Sequence, residues 1–202
     1  MHTRSKLLLA ALTSALLLAA LVGSASANRL AQNEANFRVT YSPLSFIPSF
    51  GSTVRCPVTL EGSFHSRTIT KTAGSLVGYV NRAIVGTCEA GRARVNSETL
   101  PWHIQYASFT GTLPNITAIN QNLIRPSFEV QGEIFGLRVT CRYTTPSQAG
   151  VNNRETGRGV VTSQRPGTES TSSETEGCPS GRQSGTGNVT TPAGTAIVVT
   201  LV

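Results

Sequence analysis

Two of the chain's three histidines and five of its ten glutamates are the side chains considered for acid–base chemistry. His65 and His103 could act as a general base, and a pair of glutamates at a defined separation could hydrolyse a glycosidic bond. The chain contains no Asp and no G-x-S-x-G motif, which argues against a familiar serine-hydrolase triad. We therefore expect both histidines to lie at the surface and predict no catalytic residue. The five glutamates considered are Glu61, Glu89, Glu98, Glu129 and Glu133, of which Glu129 and Glu133 are expected to flank a hairpin turn and to be solvated.

Four cysteines could bind a metal or form two disulfides. Their spacings of 32, 53 and 37 residues contain no close C-x-x-C pair, so a zinc site is not expected. An even number of cysteines in an exported chain indicates disulfides, for which four cysteines allow three connectivities. We favour Cys56–Cys88 and Cys141–Cys178, because each closes a loop of moderate length. No metal or cofactor is predicted.

The aromatic residues divide into core positions and possible contact positions. Trp102 and Tyr106 share an apolar strand face, so packing in the core is preferred over a sugar-stacking platform. Phe46 and Phe50 lie in loop-like sequence between Pro43 and Gly51, and are better candidates for an exposed contact. With His65 and His103 they are the candidates for a binding site whose ligand the sequence leaves open.

Arginine accounts for most of the positive charge. Arg92 with Arg94, and Arg138 with Arg142, are spaced so that each pair could share a strand face, most simply a solvated one. No basic cluster is interleaved with exposed aromatics, so a single-stranded nucleic acid is not an expected partner.

The elements that must position these residues are strands. In Thr53–Leu60 and Leu100–Ser108, apolar residues alternate with polar ones, and 196–202 is almost continuously apolar and β-branched. The stretch 76–84 also fits a helical pattern, but its glycine and β-branched content favours a strand. We predict an all-β, antiparallel β-sandwich of about eight to ten strands, with a closed β-barrel as the alternative. The other predicted strands are Phe37–Tyr41, Ser66–Lys71, Ala93–Ser97, Ile116–Ile124, Phe128–Gln131 and Ile134–Thr144.

Residues 146–194 differ in composition from the rest of the chain. Gly, Pro, Ser, Thr, Asn and Gln supply 34 of these 49 residues, which is too polar to bury much surface. We expect a long and largely irregular polar loop before the last strand, tied down by Cys178, with a short strand near Gly159–Ser163.

The first 27 residues have the features of an export signal. Arg4 and Lys6 precede an apolar run from Leu7 to Val22, which ends at a small-x-small cleavage site before Asn28. We predict a signal peptide over 1–27 and a single β domain over 28–202, secreted and without a later transmembrane segment. Loss of Arg4 and Lys6 leaves 15 basic and 10 acidic residues, a net charge of +5.

Three phrases in the middle of the chain carry a family resemblance. They are CPVTLEGSFHSRTITK from Cys56, LPWHIQYASFTGTLPNI from Leu100 and VTCRYTT from Val139. Together with CPSG at Cys178, they resemble exported, β-rich actinobacterial proteins of unknown function. The resemblance covers about half of the mature chain. It implies export and a shared fold, and it carries no catalytic residue.

These observations favour a secreted, non-catalytic β-sandwich with an envelope-structural or extracellular binding role. Its partner could be a cell-envelope polymer or an extracellular protein. The alternatives are a secreted hydrolase acting on glycans, with Glu and His65 or His103 in its site, and a barrel that binds a small apolar ligand.

Overall fold

A computed structural model describes residues 29–112, 115–155, 160–166, 170–173 and 177–201 of the chain. Side-chain environments are described for 29–111, 117–147 and 177–199. The predicted signal peptide over 1–27 lies outside the described residues. Within these ranges, no helix has the length and apolar content needed to cross a bilayer.

The described structure is built from β-strands and one short 3₁₀ turn at Ser97–Thr99. The strands are β1 (Arg29–Gln32), β2 (Asn36–Pro48), β3 (Val54–Phe64), β4 (Thr68–Thr70), β5 (Leu76–Val85), β6 (Arg92–Val95), β7 (Trp102–Thr112), β8 (Asn115–Ile124), β9 (Ser127–Ile134), β10 (Leu137–Thr144), β11 (Ser147–Glu155), β12 (Val160–Pro166), β13 (Ser170–Ser173), β14 (Gly181–Thr190) and β15 (Ile197–Leu201).

Every named strand pairing is antiparallel, and the strands form a ring to which a second sheet is joined. Strands β12, β11, β8, β7, β5, β3, β2 and β14 are successive neighbours, and β14 pairs with β12 again, so these eight strands form a closed ring of hydrogen-bonded neighbours. Strands β15, β1 and β4 continue from β12. A second sheet, β6–β9–β10–β13, joins the ring through the pairing of β13 with β14. The all-β, antiparallel sandwich predicted from the sequence is confirmed, with fifteen described strands where eight to ten were expected.

The core lies between the apolar faces of these strands. In β3 the alternating residues Val54, Cys56, Val58 and Leu60 are all buried. The rings of Phe46 and Trp102 both pack against Phe128, with centroids 5.2 and 5.3 Å away, so the second sheet is joined to the ring by aromatic contacts. The predicted alternation in β3 and β7 is confirmed, and the ambiguous segment from Leu76 is a strand.

The prediction of a largely irregular polar loop over 146–194 is wrong for the described part of that range. It contains β11, β12, β13 and β14. Strand β14 pairs with β2 along most of its length, so backbone hydrogen bonds order it although it has few apolar side chains. Its small residues have a packing role, because a Cβ on Gly187 would lie 2.8 Å from the Tyr41 ring. The prediction of an irregular loop rested on low apolar content, which does not report backbone pairing.

Both predicted disulfides are present. Cys56 on β3 is bonded to Cys88 in the loop after β5, and Cys141 on β10 is bonded to Cys178 just before β14. The second bond attaches the β14 segment to the second sheet. The favoured connectivity is therefore confirmed.

Candidate functional site

The two predicted contact phenylalanines have opposite environments. Phe46 is buried on β2 against Phe128, so its prediction as an exposed contact is wrong. The physical reason is that β2 continues past Tyr41 through a register shift and keeps the inward alternation at Leu44 and Phe46. Phe50 lies in the following loop and is 46 % exposed, as predicted.

The two histidines lie at the surface, as expected, on either side of one tyrosine. His103 is the register partner of Tyr79 across β7 and β5, and the His65 ring centroid lies 5.6 Å from that of Tyr79. Both histidines are exposed. Among the described side chains, neither histidine forms a hydrogen bond to a carboxylate or a hydroxyl.

Glu129 is held between two arginines. It lies on β9 directly opposite Arg94 on β6 and Arg142 on β10. Arg94 Nε donates to Oε2 at 2.7 Å, and Arg142 Nη2 donates to Oε1 at 3.2 Å. These bonds hold the pKa of the Glu129 carboxyl below its usual range. At neutral pH this group is therefore a carboxylate that orients arginines and not a proton donor.

The expected hairpin turn between Glu129 and Glu133 is displaced. Both residues lie on β9, and the turn is formed by Phe135 and Gly136. The strand continues past Gly132 because residues 127–134 pair without interruption with β10.

The outward face of the second sheet carries most of the arginines around Glu129. Phe128, Val130, Cys141 and Tyr143 occupy its inward face, which leaves the alternate residues pointing outward. Both predicted arginine pairs do share a strand face. We call the following set the arginine surface: Arg92, Arg94, Arg138 and Arg142 on this face, and Arg125 in the adjoining turn.

Two open clefts lie on this surface. One of about 350 Å³ is lined by Arg92, Arg94 and Glu129, together with Gln131 and Thr140. The other, of about 500 Å³, is lined by Asn96, Glu98, Thr99, Pro101, His103, Ile124, Arg125, Arg142 and Thr144. The Arg94–Glu129–Arg142 row connects them. The arrangement can present several guanidinium groups to one extended ligand.

Arg125 has an unusual backbone conformation. Its φ is +54°, in the left-handed region that side chains other than Gly, Asn and Asp rarely adopt. It lies between β8 and β9, its backbone N–H donates to the Pro146 carbonyl, and Pro126 after it is buried. This fixed turn places an arginine at the mouth of the larger cleft. Strained residues of this kind concentrate at functional sites.

A second ladder has the same local geometry elsewhere. Glu61 on β3 accepts hydrogen bonds from arginines on the two neighbouring strands, from Arg38 Nε at 2.8 Å and from Arg82 Nη1 at 2.9 Å. An Arg–Glu–Arg ladder alone is therefore not evidence of a binding site. The Glu129 ladder differs because two clefts and three further arginines adjoin it.

The larger of the two clefts is lined by both His103 and Glu98, beside Arg125 and Arg142. Each of the two surface clefts is lined by one carboxylate, Glu129 or Glu98. In the larger one, Thr99 Oγ1 donates to the Asn96 carbonyl and accepts from Trp102 Nε1, so this hydroxyl anchors the indole. No group of three or more metal-binding side chains occurs among the described residues.

Two interior cavities among the described residues are small. Cavities of about 40 Å³ and 30 Å³ lie among apolar side chains of the ring and beside the second sheet. Small-molecule sites usually enclose about 300–1,000 Å³. These volumes suit one or two water molecules and do not favour the small-ligand alternative.

The sequence contained only part of this site. The paired arginine spacings and His103 were visible in it, but Arg125 was not distinguished from other loop residues. His103, Arg125 and Arg142 come from separate parts of the chain and meet through strand register.

Comparisons with known proteins provide no further assignment: no family model, curated protein or solved structure matches the chain. The geometry of the arginine surface is therefore the basis for the functional proposal.

Proposed function

We propose that this chain is an exported, non-catalytic binding protein that holds an anionic extracellular polymer on the arginine surface. The observation that carries the proposal is the convergence of Arg125, Arg142 and His103 on a cleft of about 500 Å³, next to the Arg94–Glu129–Arg142 row. The ligand chemistry is a carboxylate or a phosphate group repeated along a polymer.

Export is supported by two features. The basic and apolar pattern over 1–27 is typical of a secretory signal, and the two disulfides suit an oxidising compartment. The resemblance to exported actinobacterial proteins has the same implication.

Charge and shape favour an anionic ligand. The arginine surface has five arginines, against the three glutamates Glu98, Glu129 and Glu133. Guanidinium is planar and matches carboxylate and phosphate with paired hydrogen bonds. Each carboxylate oxygen of Glu129 accepts a hydrogen bond from an arginine, so Arg94 and Arg142 are held in place. This order lowers the entropic cost of binding a ligand.

The open shape of both clefts suits a chain-like ligand. They lie side by side on one sheet face and are joined by a row of charged side chains. A polymer crossing this face would meet an arginine at each step, from Arg92 through Arg142 to Arg125.

Affinity electrophoresis can test the proposal with defined polymers. The exported chain would be run through gels containing polygalacturonate, polyphosphate or neutral dextran. We expect retardation by an anionic polymer, weakened by added salt, and none by dextran. The carboxylate and phosphate gels distinguish the two sources of charge, and competition by single-stranded DNA would show that a nucleic acid is accepted instead.

Arg125→Asn is the sharpest variant, because asparagine tolerates a positive φ and the change removes the guanidinium group with its aliphatic stem. We expect it to weaken binding about tenfold, equivalent to about 1.4 kcal/mol, without loss of stability. Arg82→Gln is the matched control, since it removes an arginine from the Glu61 ladder outside this surface. Equal weakening by both variants would indicate attraction by overall charge and would contradict a site.

A further inference from the structure

A second exposed feature lies at the end of the β9–β10 hairpin. We define the aromatic tip as Phe50, Phe135 and Leu137, which are 46 %, 89 % and 70 % exposed. Phe135 lies in the two-residue turn that links β9 to β10, and Leu137 begins β10. Phe50 comes from the separate loop between β2 and β3.

The two phenylalanine rings are stacked. Their centroids are 5.7 Å apart and their planes differ by 22°. Two hydrogen bonds attach the loop that carries Phe50 to β9. The Ser52 N–H donates to the Glu133 carbonyl, and the Glu133 N–H donates to Ser52 Oγ. The aromatic pair is therefore held in position before any partner binds.

Phe135 is placed where its backbone conformation is unfavourable. Its φ is +50° and that of Gly136 is +78°, as in the tight hairpin turns that usually contain Asn-Gly. A bulky residue with positive φ is a conformational outlier, and a phenylalanine so exposed gains little from burial. Both observations indicate that the aromatic side chain serves a role outside the folding of this chain.

The chemistry around the tip favours a lipid surface. Apolar neighbours Ile134 and Leu137 flank the turn, and the two exposed rings stack on each other to form one apolar projection. Arg138 follows Leu137, and Arg182 lines the small cavity beside Ile134 together with Glu133, so two arginines adjoin the tip against one carboxylate. Apolar side chains with arginines next to them fit the boundary between acyl chains and anionic headgroups.

We propose that the aromatic tip inserts into the interfacial layer of an anionic lipid membrane and so attaches the protein reversibly to that surface. This inference goes beyond polymer binding and does not depend on it, because its test changes Phe135 and Phe50, which lie outside the arginine surface.

Vesicle co-sedimentation of the exported chain provides the test. We expect binding to vesicles of phosphatidylcholine with phosphatidylglycerol, and weaker binding to phosphatidylcholine alone. Phe135→Asn should reduce binding roughly tenfold, as expected for loss of one buried aromatic side chain. Since asparagine is favoured at this turn position, the variant should unfold at the same or a higher temperature.

The controls separate insertion from other causes. Leu76→Asn removes an exposed apolar side chain at the start of β5 and should bind like the wild type. The start of β5 lies beside the end of β3, whereas the tip lies near the start of β3. Phe50→Ala is a second variant that leaves the hairpin turn unchanged and should also bind less. In Phe135→Trp, brominated lipid should quench the fluorescence of the introduced tryptophan. The fluorescence of Trp102 should not be quenched, because this residue is buried.

The proposal is overturned if the wild type does not bind anionic vesicles, if Phe135→Asn binds as well as the wild type, or if the introduced tryptophan is not quenched. It is also overturned if the wild type is a dimer in sedimentation and Phe135→Asn is a monomer that has lost no vesicle binding. In that case the tip would contact a second copy of the chain.

Discussion

Glu61 and Glu129 occupy equivalent positions in two separate three-stranded ladders. Each lies on a middle strand, directly opposite one arginine on each neighbouring strand, and each carboxylate oxygen accepts from a different arginine. Glu61 lies in the ring of eight strands, and Glu129 lies in the second sheet. The sandwich therefore has one charged clamp on each of these two units.

The first prediction concerns the loss of both clamps in acid. Arg38 and Arg82 lower the pKa of Glu61, and Arg94 and Arg142 lower that of Glu129. A depressed folded-state pKa contributes stability above the unfolded value of about 4.3, and this is lost as pH falls through the folded pKa. Since the arginines are largely exposed, we expect Glu129→Gln to lower the unfolding free energy by only about 0.5–1 kcal/mol at pH 7, and less as the pH falls below 4.

Urea unfolding followed by Trp102 fluorescence would measure this effect. Glu61→Gln should behave alike, and the double variant should show the sum, because the two clamps share no side chain. Glu98→Gln at the exposed 3₁₀ turn serves as the control. A wild-type-to-variant difference that stays constant from pH 7 to pH 2 would show that these pairs do not cause the pH dependence.

Much of the fold could be predicted because a half-buried strand has a period of two. Val54, Cys56 and Val58 lie inward on β3 as their spacing indicated, and both disulfides follow from closing loops of moderate length. The polar strands β11 and β14 were missed because backbone pairing with β8 and β2 orders them, and side-chain composition does not report that pairing.

The site was less predictable than the fold. Phe46 was misplaced because the strand continues through an irregularity near Pro43 that resembles a loop in sequence. Arg125 and His103 come together only after β7, β8 and β9 adopt their registers. Single-residue types and spacings cannot specify such a long-range arrangement, whereas local alternation can specify a strand.

The second prediction compares the two phenylalanines. Phe46 is buried against Phe128, so Phe46→Ala should cost about 3–5 kcal/mol of unfolding free energy through lost burial and a new cavity. Phe50→Ala should cost about 1 kcal/mol or less, because its ring is 46 % exposed and stacks on the exposed Phe135. Thermal unfolding of the two variants would check this, and equal losses would show that Phe46 is not part of the core.

The third prediction concerns a close approach at Gly62. A Cβ at this position would lie 2.0 Å from the Tyr79 carbonyl oxygen and 2.6 Å from Phe37 Cζ, at a register irregularity between β3 and β5. Gly62→Ala should therefore cost more than about 3 kcal/mol or prevent folding. The yield of folded protein and the urea midpoint would measure the loss.

Gly132→Ala is the matched control for Gly62. It also lies in a strand, but its nearest neighbour would be Val54 Cγ2 at 3.4 Å, an ordinary contact. We expect a change of about 1 kcal/mol or less. If both variants unfold at the same urea concentration as the wild type, the close packing of β3 against β5 at Gly62 is not as described.

The fourth prediction concerns the disulfide that ties β14 to the second sheet. Cys141 and Cys178 are separated by 37 residues, and loop-entropy estimates give about 3–4 kcal/mol for closing such a loop. Cys141→Ala with Cys178→Ala should lower the unfolding free energy by about this amount and expose 177–190 to proteolysis first, because few apolar side chains otherwise hold that segment. The Cys56–Cys88 disulfide spans a similar separation of 32 residues. Removing it with Cys56→Ala and Cys88→Ala should lower the unfolding free energy by about as much, without early cleavage in 177–190. Limited proteolysis with mass spectrometry, alongside urea unfolding, distinguishes the two pairs. Cleavage at the same sites in both variants would mean that strand pairing with β2, and not the disulfide, retains β14.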